Sequence, residues 1–141
     1  LGVISNTSFN SIEMAYDTDK LNELNINFDK LNELAEGNKN FVKEMLTLYV
    51  SQTSQQLIDI KLLLENNKYK EASIIFHNMI ASFDLIGCEN LMNSARRLEN
   101  STLNYKQSKN LTSIVDQFFI LTESSFKLVK TKARAEFKIN F

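Results

Sequence analysis

The sequence predicts an all-α protein: an antiparallel, up-down four-helix bundle preceded by a short N-terminal lid helix. The chain of 141 residues contains no proline and only three glycines, so it has few of the residues that end helices. Apolar residues recur every three or four positions over long stretches, which is the period of one helix face. Short polar segments separate these stretches, as expected of turns between antiparallel helices.

Composition divides the chain into three parts. Residues 1–26 are rich in Asn, Ser, Thr and Asp and show little periodicity, so we expect a linker or N-terminal arm. Residues 27–131 carry the periodic pattern and are expected to form the bundle. Residues 132–141 include Lys132 and Arg134 and are expected to be a basic C-terminal tail. The chain starts with Leu1, so we expect it to be part of a longer protein.

The lid helix and the first long helix are marked by their ends. Helical spacing starts at Phe28 and stops at Gly37, a residue type that often ends helices. Asn38 is a favoured N-cap residue and precedes a helix predicted over residues 39–66. The side chains predicted to face inward from this helix are Val42, Met45, Leu46, Tyr49, Thr53, Gln56, Ile60 and Leu63.

Three more helices are predicted, over residues 69–86, 89–103 and 109–131. Gly87 breaks the pattern between the first two and suits a tight turn. Residues 104–107 form a polar loop before the last helix. The inward side chains of the last two helices are predicted to be Leu91, Ala95, Leu98 and Thr102, then Leu111, Ile114, Val115, Phe118, Leu121, Thr122, Ser125, Leu128 and Val129.

Composition also limits the classes of partner. The formal net charge is −1, and no basic stripe with interleaved aromatic residues appears, so a nucleic-acid partner is not expected. No apolar run approaches the length of a membrane span, so we expect no membrane insertion of this fragment. The single cysteine, Cys88, has no partner for an internal disulfide; we interpret it as a packing residue in a cytoplasmic, monomeric domain.

The only histidine, His77, lies in the middle of the helix predicted over residues 69–86. At about 100° per residue, the apolar side chains of this helix fall between about 140° and 240° from His77. Ser73 and Ala81 lie within about 40° of it, and Asp84 within about 20°. We therefore predict an exposed imidazole flanked by small or polar residues. The apolar stripe opposite consists of Ala72, Ile75, Met79, Ser82, Phe83 and Ile86.

The segment that starts at the histidine resembles the signature of histidine-containing phosphotransfer (HPt) domains. That family usually reads H-x-L-K-G-S-x-x-x-φ-G-x-x-x-L, where φ is apolar. Here the segment reads His77-x-Met79-Ile80-Ala81-Ser82-x-x-x-Ile86-Gly87-x-x-x-Leu91. The departures are Ile80 for the usual lysine and Ala81 for the usual glycine. The resemblance in helix layout extends over about residues 27–130.

The resemblance implies a phosphorelay intermediate in two-component signalling. His77 would accept a phosphoryl group from the aspartate of one response-regulator receiver domain and pass it to another. The family's receiver partner supplies the aspartate, Mg²⁺ and a lysine, so this chain would be a carrier without a cofactor of its own and not an enzyme. It would be part of a larger hybrid sensor kinase.

The residues around His77 have expected roles in this scheme. Small side chains at Ser73, Ala81 and Ser82, together with Gly87, are expected to keep the imidazole accessible. Apolar Ile80 and Phe76 are expected to form a docking patch for a receiver helix. The alternative is that Phe76 is a plain core residue, which is the preferred interpretation of that side chain. Ile80 also removes the positive charge that the family's lysine offers to the phosphoryl oxygens. No cofactor or metal ligands are predicted in the chain.

Two alternatives remain open at the level of sequence. The first is a degenerate HPt-like module that docks a receiver without phosphotransfer, which Ile80 supports. The second is a purely structural helical bundle, which a buried His77 would support. Radiolabel transfer separates the first alternative from a carrier, and the exposure of His77 bears on the second.

Overall fold

The computed structural model describes residues 24–104 and 110–141, which form five α-helices and no strand. The predicted all-α class is confirmed. The arm predicted for residues 1–26 lies almost wholly outside the described residues. Its last part belongs to the fold, because Leu24 is buried and Ile26 packs against the core. The helices are α1 (Asp29–Ala35), α2 (Lys39–Glu65), α3 (Tyr69–Leu85), α4 (Glu89–Leu103) and α5 (Leu111–Phe137).

Local sequence signals set the start of α2 and the end of α1. The side chain of Asn38 accepts a hydrogen bond from the backbone N–H of Phe41, at 3.0 Å, so the predicted N-cap is confirmed. Before it, Glu36 and Gly37 both have positive φ values, 48° and 84°, which stop α1 in the left-handed region. The buried residues of α1 are Leu31 and Ala35.

Gly87 joins α3 to α4 by a turn that no other residue fits. Its φ is +65°, and a Cβ placed on it would lie 2.0 Å from the carbonyl oxygen of Asn27. The segment before α1 crosses this turn closely, and the N–H of Asn27 donates a hydrogen bond to the carbonyl of Ile86 at 3.0 Å. Glycine is therefore required here both by the backbone angle and by the approach of a second chain segment.

The four longer helices contact one another in a closed ring. Helix α2 contacts α3 and α5, and α4 also contacts α3 and α5, with the most extensive contact between α3 and α4. Helix α1 contacts α2. Buried apolar side chains from all five helices meet inside, which is the arrangement of a helical bundle.

Aromatic rings fill the centre of this core. Phe118 of α5 lies edge-to-face against Phe76 and Phe83 of α3, with ring centroids 5.6 and 5.9 Å apart. Tyr49 of α2 contacts Phe83 as well, and its hydroxyl is 2.7 Å from the Ser125 hydroxyl. Since Ser125 donates its own proton to the Thr122 carbonyl, Tyr49 donates to Ser125. Burial raises the pKa of Tyr49 far above its usual range, so the hydroxyl stays a neutral donor.

The inward faces were predicted correctly in part. All four inward residues predicted for α4 are buried. In α2, the predicted residues Val42, Leu46, Tyr49, Thr53 and Ile60 are buried. Leu57 takes the core position predicted for Gln56, and Met45, Gln56 and Leu63 are half-buried. In α5, Ile114 and Leu128 are exposed, and their neighbours Val115 and Val129 fill the core positions.

The predicted end of the last helix near residue 131 is wrong. Helix α5 continues to Phe137, whose ring lies 5.8 Å from that of Phe28, and Ala133 and Ile139 are buried. Lys132 and Arg134 therefore belong to a packed helix, and Lys138 follows its end. None of the helices in the described part of the chain combines the length and apolar character needed to cross a bilayer.

Cys88 lies at the start of α4 and is fully buried, as its interpretation as a packing residue requires. Burial raises the pKa of the thiol. We expect the folded protein to react with iodoacetamide at pH 8 at least about tenfold more slowly than the urea-unfolded chain, because the thiolate is the reactive form. Mass spectrometry of the alkylated protein measures the rates. Equal rates in the two states would contradict this placement.

The same shift links Cys88 to stability. A raised pKa in the folded state favours the neutral thiol. The stabilisation that the buried Cys88 thiol adds to the free energy of unfolding is therefore fully present below the ordinary pKa of a thiol. The contribution is lost as the pH rises through the raised folded value.

Candidate functional site

His77 lies at the middle of α3 with its side chain 65% exposed. Met79 and Ile86 of the same segment are fully buried. The predicted exposure of the imidazole and the predicted burial of these two residues are therefore confirmed. Exposure at the centre of a helix, away from its frayed ends, places the imidazole on a rigid support.

The buried stripe of α3 is rotated from the one predicted. It consists of Ala72, Ser73, Phe76, Met79 and Phe83, with Ile86 after the helix end, while Ile75 and Ser82 are half-buried. On a helical wheel this shifts the centre of the stripe by roughly 40–50° toward Phe76. His77 therefore borders the stripe on one side. The reason is α4, which packs on that side of α3.

The carboxylate of Glu99 in α4 contacts Nδ1 of the His77 imidazole. Its Oε2 lies 2.9 Å from Nδ1 of His77, and the Glu99 side chain is 29% exposed. Because an ionised carboxylate only accepts hydrogen bonds, Nδ1 carries the proton. In the neutral imidazole the lone pair is then on Nε2, at the opposite side of the ring. The contact fixes both the tautomer and the direction of the ring.

Sequence reasoning missed Glu99. The helical pattern places Leu91, Ala95 and Leu98 inward, and Glu99 follows on the border of that face. A single helix pattern does not show which neighbouring helix a border residue contacts. The missing information was the register of α4 against α3, which brings Glu99 to His77.

The residues predicted to clear space around His77 divide into two groups. Ala81, one turn after His77, is exposed, and Ser82 is half-buried. Ser73, one turn before His77, is buried, and its hydroxyl donates to the Lys70 carbonyl at 2.5 Å; its role in keeping the imidazole accessible stays a prediction. Gly87 shapes the turn after α3, as described above.

The predicted docking patch is also corrected. Phe76 is fully buried against Phe118, so it offers no surface to a partner. Ile80 is half-buried and packs against the core. The exposed apolar side chains nearest in sequence to the His77–Glu99 pair are Ile74, 55% exposed, and Leu103, 53% exposed. Sequence analysis did not single out either one.

A charged groove of about 410 Å³ lies between α1, α3 and α4. Lys30 of α1 forms an ion pair there with Asp84 of α3. Arg96 of α4 lines the same groove, and its guanidinium donates to Asn93 Oδ1 at 3.1 Å. The complete lining is Asn27, Asp29, Lys30, Asp84, Gly87, Glu89, Met92 and Arg96.

Metal ligands do not cluster in the described part of the chain: no three His, Cys, Asp or Glu side chains come together there. No protein-family model matches the chain, and no curated protein or solved structure matches it significantly. The geometry of His77 and its neighbours is therefore the basis for a functional proposal, together with the signature that the sequence resembles.

Proposed function

We propose that this protein is a phosphorelay intermediate that carries a phosphoryl group on His77 between the aspartates of receiver domains. The observation that supports it best is the pairing of an exposed imidazole with Glu99 through Nδ1. This pairing presents Nε2 outward as a nucleophile. A histidine kept for packing alone needs neither the exposure nor the carboxylate.

The chemistry needs only a positioned imidazole on this side of the interface. Nε2 of His77 attacks the phosphorus of an aspartyl phosphate, a P–N bond forms, and the P–O bond to the aspartyl carboxylate breaks. The aspartate leaves as a carboxylate, and the ring gains a positive charge. Glu99, at 2.9 Å from Nδ1, stabilises that charge and keeps the Nδ1 proton in place. The reverse step on a second receiver returns the neutral imidazole.

The partner provides the remaining groups in this proposal. Receiver domains of the kind implied by the signature contribute the aspartate, Mg²⁺ and a lysine, so this chain is a carrier and not an enzyme. Such partners place the protein in the cytoplasm, within or beside a hybrid sensor kinase. The exposed Ile74 and Leu103 take the place of Phe76 in the proposed docking surface.

We further propose that the ring of four helices is an antiparallel up-down bundle with α1 as a lid. The Tyr49–Ser125 hydrogen bond joins the first half of α2 to the middle of α5. At the other end of α2, Leu64 lines a surface pocket together with Leu111, the first residue of α5. These two pairings are consistent with α2 and α5 running in opposite directions. The short turns after α2 and α3 favour the same arrangement for the remaining neighbours.

Phosphotransfer is tested with receiver domains phosphorylated by radiolabelled acetyl phosphate in the presence of Mg²⁺. We expect acid-labile, alkali-stable label on the wild-type chain and none on His77→Gln, because Nε2 is the proposed acceptor. Gel autoradiography after acid and alkali treatment measures the label. Asn78→Gln is the matched control: Asn78 is exposed beside His77, and the variant should be labelled like the wild type.

The outcomes separate the proposal from its alternatives. Label that remains on His77→Gln would overturn the assignment of the acceptor. Receivers that bind the wild type but transfer no label would support the docking-only module. A chain that neither binds nor receives label from any receiver tested would leave only the structural bundle.

A further inference from the structure

A positive charge near His77 would stabilise a phosphoryl group bound there, and α3 provides none close to it. The group carries close to two negative charges at neutral pH. Residues 73–81, which cover the turn on either side of His77, contain no lysine or arginine, and Ile80 is apolar. Lys70 lies two turns before His77, about 10 Å along the helix axis. Within the described part of the chain, a stabilising cation would therefore come from another helix.

Arg96 of α4 lies one helical turn from the residue that contacts His77. Glu99 contacts His77, and Arg96 precedes Glu99 by three residues, so the two side chains are neighbours on one face of α4. Arg96 also lines the groove that contains Asp84, seven residues after His77 on α3. Arg96 is thus one turn from the residue that contacts His77 and also lines the groove that contains Asp84.

The guanidinium of Arg96 is available for an anion. The residue is exposed, and its Nη1 donates to the neutral side chain of Asn93 at 3.1 Å. A guanidinium has five N–H donors in a planar fork that matches phosphate oxygens, so one bond to an amide leaves donors for a ligand. Lys30, the other cation in the groove, has its charge countered by Asp84. Arg96 is thus the cation of this groove best suited to the phosphoryl oxygens.

We propose that Arg96 binds the phosphoryl oxygens of phosphorylated His77 and so supplies, from α4, the charge absent at Ile80. This rests on the proposed phosphorelay function and assigns a binding role within it. Glu99 and Arg96 then act on opposite parts of the adduct. Glu99 stabilises the ring through Nδ1, and Arg96 stabilises the group attached to Nε2.

The test measures the equilibrium distribution of label between a receiver aspartate and His77. Arg96→Gln should shift it toward the receiver by about tenfold, the effect of losing one charge-assisted hydrogen-bonding partner at a partly exposed site. Arg97→Gln is the matched control, since Arg97 is exposed on the same helix but points about 100° away. It should leave the equilibrium unchanged. Ile80→Lys in the Arg96→Gln background should restore it, because a cation returns one turn after His77.

Each outcome distinguishes this role from others. If the wild type receives no label, the phosphorelay function itself fails. If the wild type is labelled and Arg96→Gln shows the same equilibrium as Arg97→Gln, only the role of Arg96 is overturned. If Arg96→Gln reaches the same distribution of label more slowly, the proposed role of Arg96 is also overturned. That result would assign Arg96 to receiver docking and not to binding the phosphoryl group. Circular dichroism checks that all variants remain helical.

Discussion

Replacement of Phe118 by alanine should lower the free energy of unfolding by about 3–5 kcal/mol. Phe118 is 2% exposed, and its ring lies against both Phe76 and Phe83 at the centre of the core. The truncation removes these edge-to-face contacts and leaves a cavity between α3 and α5. Urea denaturation followed by circular dichroism measures the change.

The control for Phe118 lies two residues further along α5. Ile120 is 55% exposed, so Ile120→Ala should change the free energy of unfolding by less than about 0.5 kcal/mol. Similar losses for the two variants would contradict the assignment of the inward face of α5.

Gly87→Ala should destabilise the protein by roughly 2–5 kcal/mol. About 1–2 kcal/mol comes from placing a Cβ at a φ of +65°. The rest, about 1–3 kcal/mol, comes from the contact of that Cβ with the Asn27 carbonyl, 2.0 Å away, which forces the segment before α1 off the α3–α4 turn. Thermal and urea denaturation measure the loss.

Gly37→Ala separates these two contributions. Gly37 also has a positive φ, +84°, but a Cβ there meets no atom within 4 Å. Only the backbone cost of about 1–2 kcal/mol is expected. If the two alanine variants lost the same stability, the close approach of Asn27 to Gly87 would not contribute to the fold.

Local signals were sufficient for most helix boundaries. Asn38 caps α2 through its side chain, and Gly87 ends the turn after α3, both as their residue types indicate. The end of α5 was predicted too early because charged residues such as Lys132 and Arg134 are typical of a solvated tail. Their charges lie on the outer face, whereas Ala133 and Phe137 continue the buried one. A small buried alanine gives little periodic signal, and the contact of Phe137 with Phe28 is remote in sequence.

The candidate site was predictable only as far as a single helix allows. The exposure of His77 followed from the wheel of α3, because that wheel depends on residues of the same helix. The contact with Glu99 depends on where α4 packs, and the burial of Phe76 depends on Phe118 of α5; the wheel contains neither. An error of roughly 40–50° in the stripe moved Phe76 from the predicted docking patch into the core.

The contact between the rings of Phe28 and Phe137 has a consequence for the order in which the chain closes. These residues lie roughly a hundred positions apart, whereas His77 and Glu99 lie about twenty apart. Each doubling of a loop costs about 0.6 kcal/mol of chain entropy, so closing the longer one costs more than 1 kcal/mol extra. The pair formed by α3 and α4 is therefore the more local unit, and we expect its contacts to close before the contact between Phe28 and the end of α5. The His77–Glu99 pair belongs to this more local unit, so its formation does not require the ends of the chain to meet.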